Sequence, residues 1–198
     1  MNKETSTFLL QRFRPKLLSS IYLSAKYNCV VDPSATIFFP SKVKLGKSTV
    51  IRKATLIAKT SKSKGIVIGE NSLIDDYVIL HSRGDSITLG DHVHINPFCV
   101  IDGHGNVKIG NNVGLASHVR LVTNHVIPPS NELIRNQPIT KKGIKIGDDV
   151  WVGTGVTIVD GVSIGDGCII GAGSVVLNDT PAYTISAGVP SKIIRKRQ

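Results

Sequence analysis

Histidine and cysteine are the side chains of this 198-residue chain that could move protons or hold a metal near neutral pH. Histidine changes its charge in that range, so each of the six histidines could serve as a general base or a metal ligand. The three cysteines cannot all pair within one chain, and no spacing between them is typical of a metal–thiolate site. The histidine candidates are His81, His92, His94, His104, His118 and His125.

A six-residue repeat from Ile146 to Val176 predicts the scaffold that must position these side chains. An amphipathic helix would repeat its apolar face about every 3.6 residues and a plain strand about every 2. A period of six instead indicates short strands and tight turns, three to a coil, as in a hexapeptide β-helix. Aliphatic residues begin the units at Ile146, Val152, Ile158, Ile164, Ile170 and Val176, and small or apolar residues follow at Val150, Val156, Val162, Cys168 and Ser174.

The same register runs through the earlier chain and slips at Ile57–Ile68, Leu80–Leu89, Ile101–Ile109 and Leu121–Ile146. Each slip is an insertion that must loop out of the regular coil, and loops on a rigid scaffold often carry function. The largest insertion, residues 126–143, contains several prolines and is predicted to be irregular.

We therefore predict an all-β fold, a β-helix with a short N-terminal helical segment. Its parts are a helical cap over residues 1–28, the β-helix over 29–177 with the inserted loop 126–143, and a C-terminal tail over 178–198. Leu10, Phe13, Leu17 and Ile21 lie near one helical face of the first segment. This face could cover the open end of the β-helix or rest on a membrane, and a kink at Pro15 favours the cap.

The net charge of +10 and a pI near 9.7 indicate an anionic partner or a surface of solvated lysines. Coenzyme phosphates, a nucleotide-linked or lipid-linked sugar, or an acidic membrane surface would each suit that charge. Scattered basic residues without a binding motif argue against nucleic acid. We expect a cytoplasmic location, because neither a secretory signal nor a membrane-spanning stretch is present in the sequence. Cys99 and Cys168 occupy inward positions and are predicted to be buried.

Three stretches carry a family resemblance: IGDDVWVGTGVTIVDGVSIGDGCIIGAGSVVLND, the preceding PITKKGIK after a histidine and a long loop, and the ending AGVPSKIIR. Together they resemble the hexapeptide-repeat acyltransferases, in particular the maltose, galactoside and nodulation-factor O-acetyltransferases and related enzymes that acetylate surface polysaccharides. The resemblance covers about residues 30–195. It implies a left-handed parallel β-helix, a homotrimer, acetyl-CoA as acyl donor, a sugar hydroxyl as acceptor, and no metal requirement.

The resemblance also implies that His125, just before the long insertion, is the catalytic base. Here the histidine follows Leu121 by four residues, whereas many relatives have five. The chain must therefore leave the coil by Asn124, or the site is displaced, and His118 is then the reserve base. The expected mechanism is direct transfer, with a backbone N–H near Thr154 stabilising the oxyanion.

Further site residues follow from the same resemblance. Asn96, Asp102 and Trp151 are expected to contact the acceptor, although Asn96 and Asp102 are also ordinary turn residues. The coenzyme is expected to lie on Trp151, Gly153, Thr154, Gly171 and Ala172. Its phosphates are assigned to Lys142, Lys192 or Arg195, because Leu177-Asn178 replaces the family's Thr-Lys pair.

Two other functions fit the same scaffold. A γ-type carbonic anhydrase would hold zinc on His81, His118 and His125, but the close histidine pair of that family is spaced by five residues, not seven. A catalytically silent scaffold or sugar-binding protein would need none of these histidines.

Overall fold

The computed structural model describes residues 16–58, 64–123, 125–126 and 133–198, and the side chains of residues 16, 17, 125 and 126 lie outside that description. Within these ranges a helix, α1 (Lys16–Tyr27), precedes a series of short strands. Numbered in chain order, the strands are β1 Val30–Val31, β2 Thr36–Phe38, β3 Val43–Leu45, β4 Val50–Ile51, β5 Thr55–Ala58, β6 Gly65–Ile68, β7 Leu73–Ile74, β8 Ile79–Ser82, β9 Ser86–Leu89, β10 His94–Ile95, β11 Val100–Gly103, β12 Val107–Ile109, β13 Gly114–Leu115, β14 Arg120–Val122, β15 His125–Val126, β16 Ile139–Thr140, β17 Ile144–Ile146, β18 Trp151–Val152, β19 Thr157–Val159, β20 Ser163–Ile164, β21 Ile169–Ile170, β22 Val175–Val176, β23 Thr184–Ala187 and β24 Lys192–Lys196.

Apart from β15 and β16, the described strands stack into three sheets that are parallel up to β23, so that successive strands of the coils belong to successive faces of a prism. Sheet A runs β1-β4-β7-β10-β13-β18-β21-β23-β24, sheet B runs β2-β5-β8-β11-β14-β19-β22, and sheet C runs β20-β17-β12-β9-β6-β3. We name the turns between them the AB, BC and CA corners. The predicted fold class, an all-β left-handed parallel β-helix with one short N-terminal helix, is confirmed.

The hexapeptide positions fill the core as the repeat predicts. Every aliphatic residue from Ile146 to Val176 at the first position is nearly or fully buried, and so are the fifth positions. One detail of the register is wrong: Leu56, and not Ile57, points inward, because the turn between β4 and β5 is one residue shorter than the repeat. Cys99 and Cys168 are fully buried as predicted, and burial raises the pKa of the Cys99 thiol to about 11.

The CA corner explains why glycine precedes an acidic or amide residue in the units that begin at Ile68, Leu89, Ile109, Ile146 and Ile164. The Glu70 N–H donates to the Asp91 carboxylate at 2.7 Å. In the same way the Asp91 N–H donates to the Asn111 side-chain oxygen, the Asn111 N–H to the Asp148 carboxylate, and the Asp148 N–H to the Asp166 carboxylate. The glycine ahead of each donor leaves room for that oxygen, since a Cβ on Gly69 would collide with the Asp91 carboxylate. The recurring Gly-Asp and Gly-Asn pairs therefore form a ladder along this corner.

Helix α1 packs across the first coil. Leu23 is fully buried, Ser20 Oγ donates to the Asp32 carbonyl at 3.0 Å, and Leu18 and Ile21 are exposed. The predicted apolar positions Leu10 and Phe13, and Pro15, lie outside the described residues. Among the helices that the structure describes, none has the length and apolar character needed to cross a membrane.

The two ends of the predicted insertion and the predicted tail form regular structure. Strand β15 pairs antiparallel with β16 in a separate two-stranded sheet, and a short 3-10 turn covers Ile134–Asn136. Residues 178–198 add β23 and β24 to sheet A, with β24 antiparallel to β23.

Candidate functional site

The AB corner gathers most of the residues predicted to bind the coenzyme. The N–H groups of Asn96, Ala116, Gly153 and Gly171 each donate to a carbonyl of the next coil, at 2.7–2.9 Å, so these residues form one column. Gly153 must be glycine, because a Cβ there would lie 2.6 Å from the Ala172 nitrogen. The Asn96 amide side chain donates to the Leu115 carbonyl at 3.0 Å.

Thr154 presents a backbone donor at this corner, at a turn position where the N–H groups of Ser117 and Ala172 likewise lack an acceptor among the described residues. Its neighbours are bonded, Gly153 N–H to the Ile170 carbonyl and Gly155 N–H to the Ser117 carbonyl. Within the described part of the chain, the Thr154 N–H itself has no acceptor, and the residue is exposed. A fixed, outward backbone N–H of this kind is suited to hold a carbonyl oxygen or an oxyanion.

Trp151 lies on sheet A beside this corner. Its ring covers Gly114 of the preceding coil, where a Cβ would lie 2.5 Å from the indole, and 49% of the residue is exposed. The outward position combines a fixed ring plane with a large apolar surface, which suits a ligand groove or a subunit interface.

The BC corner carries a polar cluster around Asp102. Arg83 Nε lies 3.0 Å from the Asp102 carboxylate, and His104 Nδ1 lies 3.5 Å from the same oxygen. Burial lowers the pKa of His104, although the Asp102 charge opposes that shift. Among the described residues, Asp102 Oδ1 and His104 Nδ1 are buried and lack well-formed hydrogen bonds, so the ion pair with Arg83 is the main contact of that oxygen.

The same corner positions the backbone of His125. Thr123 is fully buried, and its hydroxyl donates to the Asp102 carbonyl at 2.6 Å and accepts the Gly105 N–H at 2.9 Å. Two residues later His125 pairs with Thr140 in the antiparallel β15–β16 pair, so the chain has left the coil at this point, as the shortened spacing requires. The His125 side chain and Asn124 lie outside the described residues.

The basic residues predicted to bind phosphate lie in two places. Lys142 lines a shallow groove of about 210 Å³ on sheet C together with Lys108 and Lys145, and its N–H donates to the Asp160 carboxylate at 3.0 Å. Lys192 and Arg195 are exposed on β24, at the end of sheet A.

The structure therefore divides the predicted site between two corners. Asn96, Trp151, Thr154 and their glycine neighbours lie at the AB corner or beside it, whereas Asp102, the His125 backbone and Lys142 lie at the BC corner. A strand of sheet B separates the two, about 10 Å at ~3.3 Å for each residue of β11. Within the part of one chain that the structure describes, the two groups are not brought together.

Sequence reasoning missed Arg83 and Thr123, and it named His104 only as one of six histidine candidates, without its contact with Asp102. The register of the parallel strands could have located these residues in the sequence. Strands β8 and β11 align His81 with Asp102, so the residues just after the end of each strand meet at one corner. Extending this register by one residue past the strand ends brings Arg83 level with His104, at the same corner as Asp102, but the contacts of both side chains with Asp102 depend on the turn geometry.

The reserve base and the alternative zinc ligands are also separated. His118 lies at the AB corner, where its ring stacks on Phe98 at 5.0 Å, whereas His81 lies at the opposite edge of sheet B beside Asp102. The described residues contain no group of three potential metal ligands.

Comparison with known proteins places this geometry among sugar-modifying enzymes. Residues 143–178 match the family model described as bacterial transferase hexapeptide (six repeats). The chain is 38% identical over 150 residues to the galactoside O-acetyltransferase of Escherichia coli strain K12. The alignment covers 75% of this chain and 70% of that protein. The chain is 30% identical over 143 residues to the dTDP-4-amino-4,6-dideoxy-D-glucose acyltransferase of Escherichia coli, covering 67% and 72%.

A solved structure combines the same fold with a sequence identity above 25%. The polySia-specific acetyltransferase NeuO superposes with a TM-score of 0.69 and 27% identity, covering 85% of this chain and 70% of that one.

Proposed function

The chain belongs to the hexapeptide-repeat acyltransferase family, and from that premise we propose that it transfers an acetyl group from acetyl-CoA to a sugar hydroxyl. The acceptor would be a sugar, a nucleotide-linked or lipid-linked sugar, or a precursor of a surface polysaccharide. The single observation that carries the proposal is the AB corner, where exposed backbone and one exposed indole form an open track. Relatives of this chain are named for acyl transfer to a galactoside and to a nucleotide-linked amino sugar.

The acyl donor would lie along that track. Thr154 and Ala172 are exposed on two successive coils, Gly171 is half-buried and Gly153 is buried beneath them, and an extended chain such as the arm of coenzyme A needs close approach to backbone groups. Trp151 would cover one side of the arm. The basic residues of β24 or of the Lys142 groove would meet the phosphates.

The catalytic base in this proposal is His125. The antiparallel pair β15–β16 holds its backbone where the insertion leaves the BC corner, and the Thr123 hydroxyl ties that point to Asp102. Asp102, fixed by Arg83, would act as a positioning residue for the base or bind an acceptor hydroxyl.

The proposed reaction is a direct transfer. The His125 imidazole takes the proton of the acceptor hydroxyl while its oxygen attacks the thioester carbonyl carbon. The Thr154 N–H donates to the resulting oxyanion, the C–S bond breaks, and the imidazolium returns the proton to the departing CoA sulfur. Atoms balance as one sugar ester and one thiol, and no enzyme nucleophile is needed, since Cys99 and Cys168 are buried.

A complete site would require a second copy of the chain. The BC corner of one subunit must face the AB corner of another, because a single chain separates them. A homotrimer would satisfy this requirement at each of its interfaces. Burying the exposed part of Trp151 there would stabilise the assembly by ~25 cal/mol per Å² of apolar surface.

The decisive experiment is a thiol-release assay with acetyl-CoA and a panel of acceptors: galactose, glucose, sialic acid oligomers, nucleotide-linked sugars and serine. We expect release that depends on a sugar and persists after exhaustive chelation. Release with serine alone, or activity that disappears on chelation and returns with zinc, would contradict the proposal.

A further inference from the structure

A ladder of aromatic rings runs along the AB corner above the predicted coenzyme track. Tyr77 stacks on Phe98 with ring centroids 5.2 Å apart, and Phe98 stacks on His118 at 5.0 Å, with the rings parallel to within 7°. Lys53 Nζ lies 4.9 Å from the Tyr77 ring centroid and closes the upper end. Tyr77 and Phe98 are each about half exposed, at 50% and 49%, and His118 is also exposed.

Turn chemistry does not explain these rings. Tyr77, Phe98 and His118 all adopt left-handed backbone angles, with φ of 60°, 65° and 63°. The equivalent turn position of the CA corner carries rings only on separated coils, at His92 and Tyr183. Its other left-handed residues apart from glycine are short and polar, the types that tolerate this conformation best: Ser48, Asn71, Asn112 and Asp149. Three stacked rings on successive coils of one corner are therefore more than the turn requires.

The ladder ends against two open positions. Gly155 and Gly173 continue the same column, because their N–H groups donate one coil back just as His118 donates to the Pro97 carbonyl. A Cβ on either glycine would meet no atom within 4 Å.

Other glycines of the fold are covered by rings. A Cβ on Gly114 would lie 2.5 Å from Trp151, and one on Gly167 would lie 2.5 Å from Tyr183. Among the described residues, the His118 face turned away from Phe98 thus looks across a gap toward the coil of Thr154 and Gly155.

We propose that this face of His118 is a platform on which a pyranose ring of the acceptor stacks, next to the acyl group held at Thr154. The inference rests on the proposed function and names how the acceptor is held. A pyranose presents an apolar face of C–H groups and a polar rim, so it can stack on a flat ring while backbone groups of the Thr154 turn meet its hydroxyls. His118 then binds substrate and is not the base.

Kinetics of two substitutions test the platform. His118→Ala should raise the KM for the sugar about five- to tenfold, the scale of one stacked ring, with kcat and the KM for acetyl-CoA within about twofold. His118→Phe, which keeps a flat ring and has no titratable nitrogen, should restore the sugar KM. His92→Ala is the matched control: an exposed left-handed histidine at the CA corner, expected to leave all constants unchanged.

Binding without turnover separates this proposal from the function on which it rests. Saturation-transfer NMR with methyl β-galactoside and with dTDP is measured on wild type, His118→Ala and His118→Phe. We expect transfer to the sugar protons in the wild type and in His118→Phe, and none in His118→Ala. If the wild type acetylates no sugar of the panel, the proposed function fails while this measurement still reports on the platform.

Any of three results would contradict the platform. The first is a kcat reduced a hundredfold in both His118 variants, and the second is a sugar KM and sugar binding that are unchanged in His118→Ala. The third is that loss of the His118 ring weakens the binding of dTDP but not of the sugar.

Discussion

The AB and BC corners of the same β-helix differ in how regularly their turns repeat from coil to coil. At the AB corner each coil repeats the last, with bonded N–H groups at Asn96, Ala116, Gly153 and Gly171. At the BC corner the repeat is interrupted by the insertion, and Arg83, His104 and Asp102 form a cluster with imperfect hydrogen bonds. Regular coils fix backbone donors in place, whereas the interruption is where ionisable side chains can gather.

The largest test of this contrast is removal of the proposed base at the interrupted corner. His125→Ala should lower kcat on the order of 10²–10⁴-fold, the usual contribution of a general base, with thermal unfolding unchanged. Steady-state assays and a melting curve measure both. His92→Ala should retain full activity, and full activity in His125→Ala would move the base elsewhere.

The next test asks whether the two corners meet between subunits. Ala172→Trp, at an exposed position of the AB track, should block the coenzyme, and mixing it with His125→Ala chains should restore activity. In randomly mixed oligomers about a quarter of interfaces would carry both intact corners. Refolding the variants together and measuring thiol release checks this. Two inactive variants that stay inactive when mixed, or an active monomer in light scattering, would refute a shared site.

Removing the ion pair of the BC corner should have a smaller effect. Arg83→Met frees the Asp102 carboxylate, and we expect kcat to fall about tenfold through loss of positioning, with the KM for acetyl-CoA unchanged. The pH profile of kcat should shift as well, which a purely structural change would not produce. Asp149→Asn breaks a comparable pair with Arg197, 2.9 Å long, at the CA corner and should leave kcat alone. Equal losses in both variants would argue for a general effect on stability.

The smallest expected effect is on the pH dependence of folding. Burial lowers the pKa of His104 in the folded chain, so below about pH 6.5 the unfolded chain binds more protons than the folded one. Stability present above that pH is lost as the pH falls toward the lowered value. His104→Gln should therefore narrow the difference in Tm between pH 7.5 and pH 5.5. An unchanged difference would show that other groups set the acid side of the stability curve.

The spacing of residues in the sequence was sufficient to predict the β-helix, because each hexapeptide folds into the same short strand and turn. An inward aliphatic side chain such as Ile158 or Ile170 is buried in its coil, and the Gly-Asp turns form the same hydrogen bond from coil to coil. A few neighbouring residues are therefore enough to predict both. The register failed at Leu56, where a turn shortened by one residue shifts the inward position without changing the residue types. The shortened approach to His125 left two alternatives, a chain that leaves the coil by Asn124 or a displaced site, and the β15–β16 pair shows that the backbone has left the coil at His125.

The amino-acid sequence by itself determined the β-helix, the buried cysteines, and which residue types stand at each turn. Only the tertiary structure decided that Asn96 and Thr154 lie at one corner and Asp102 and the His125 backbone at another. It also decided that Arg83 and His104 gather on Asp102 and that three rings stack above open glycines. The physical reason is that the Arg83 contact and the ring stacking join residues about twenty positions apart through the stacking of coils, while the His104 contact depends on the turn after β11. The length of each insertion sets which side chains come level.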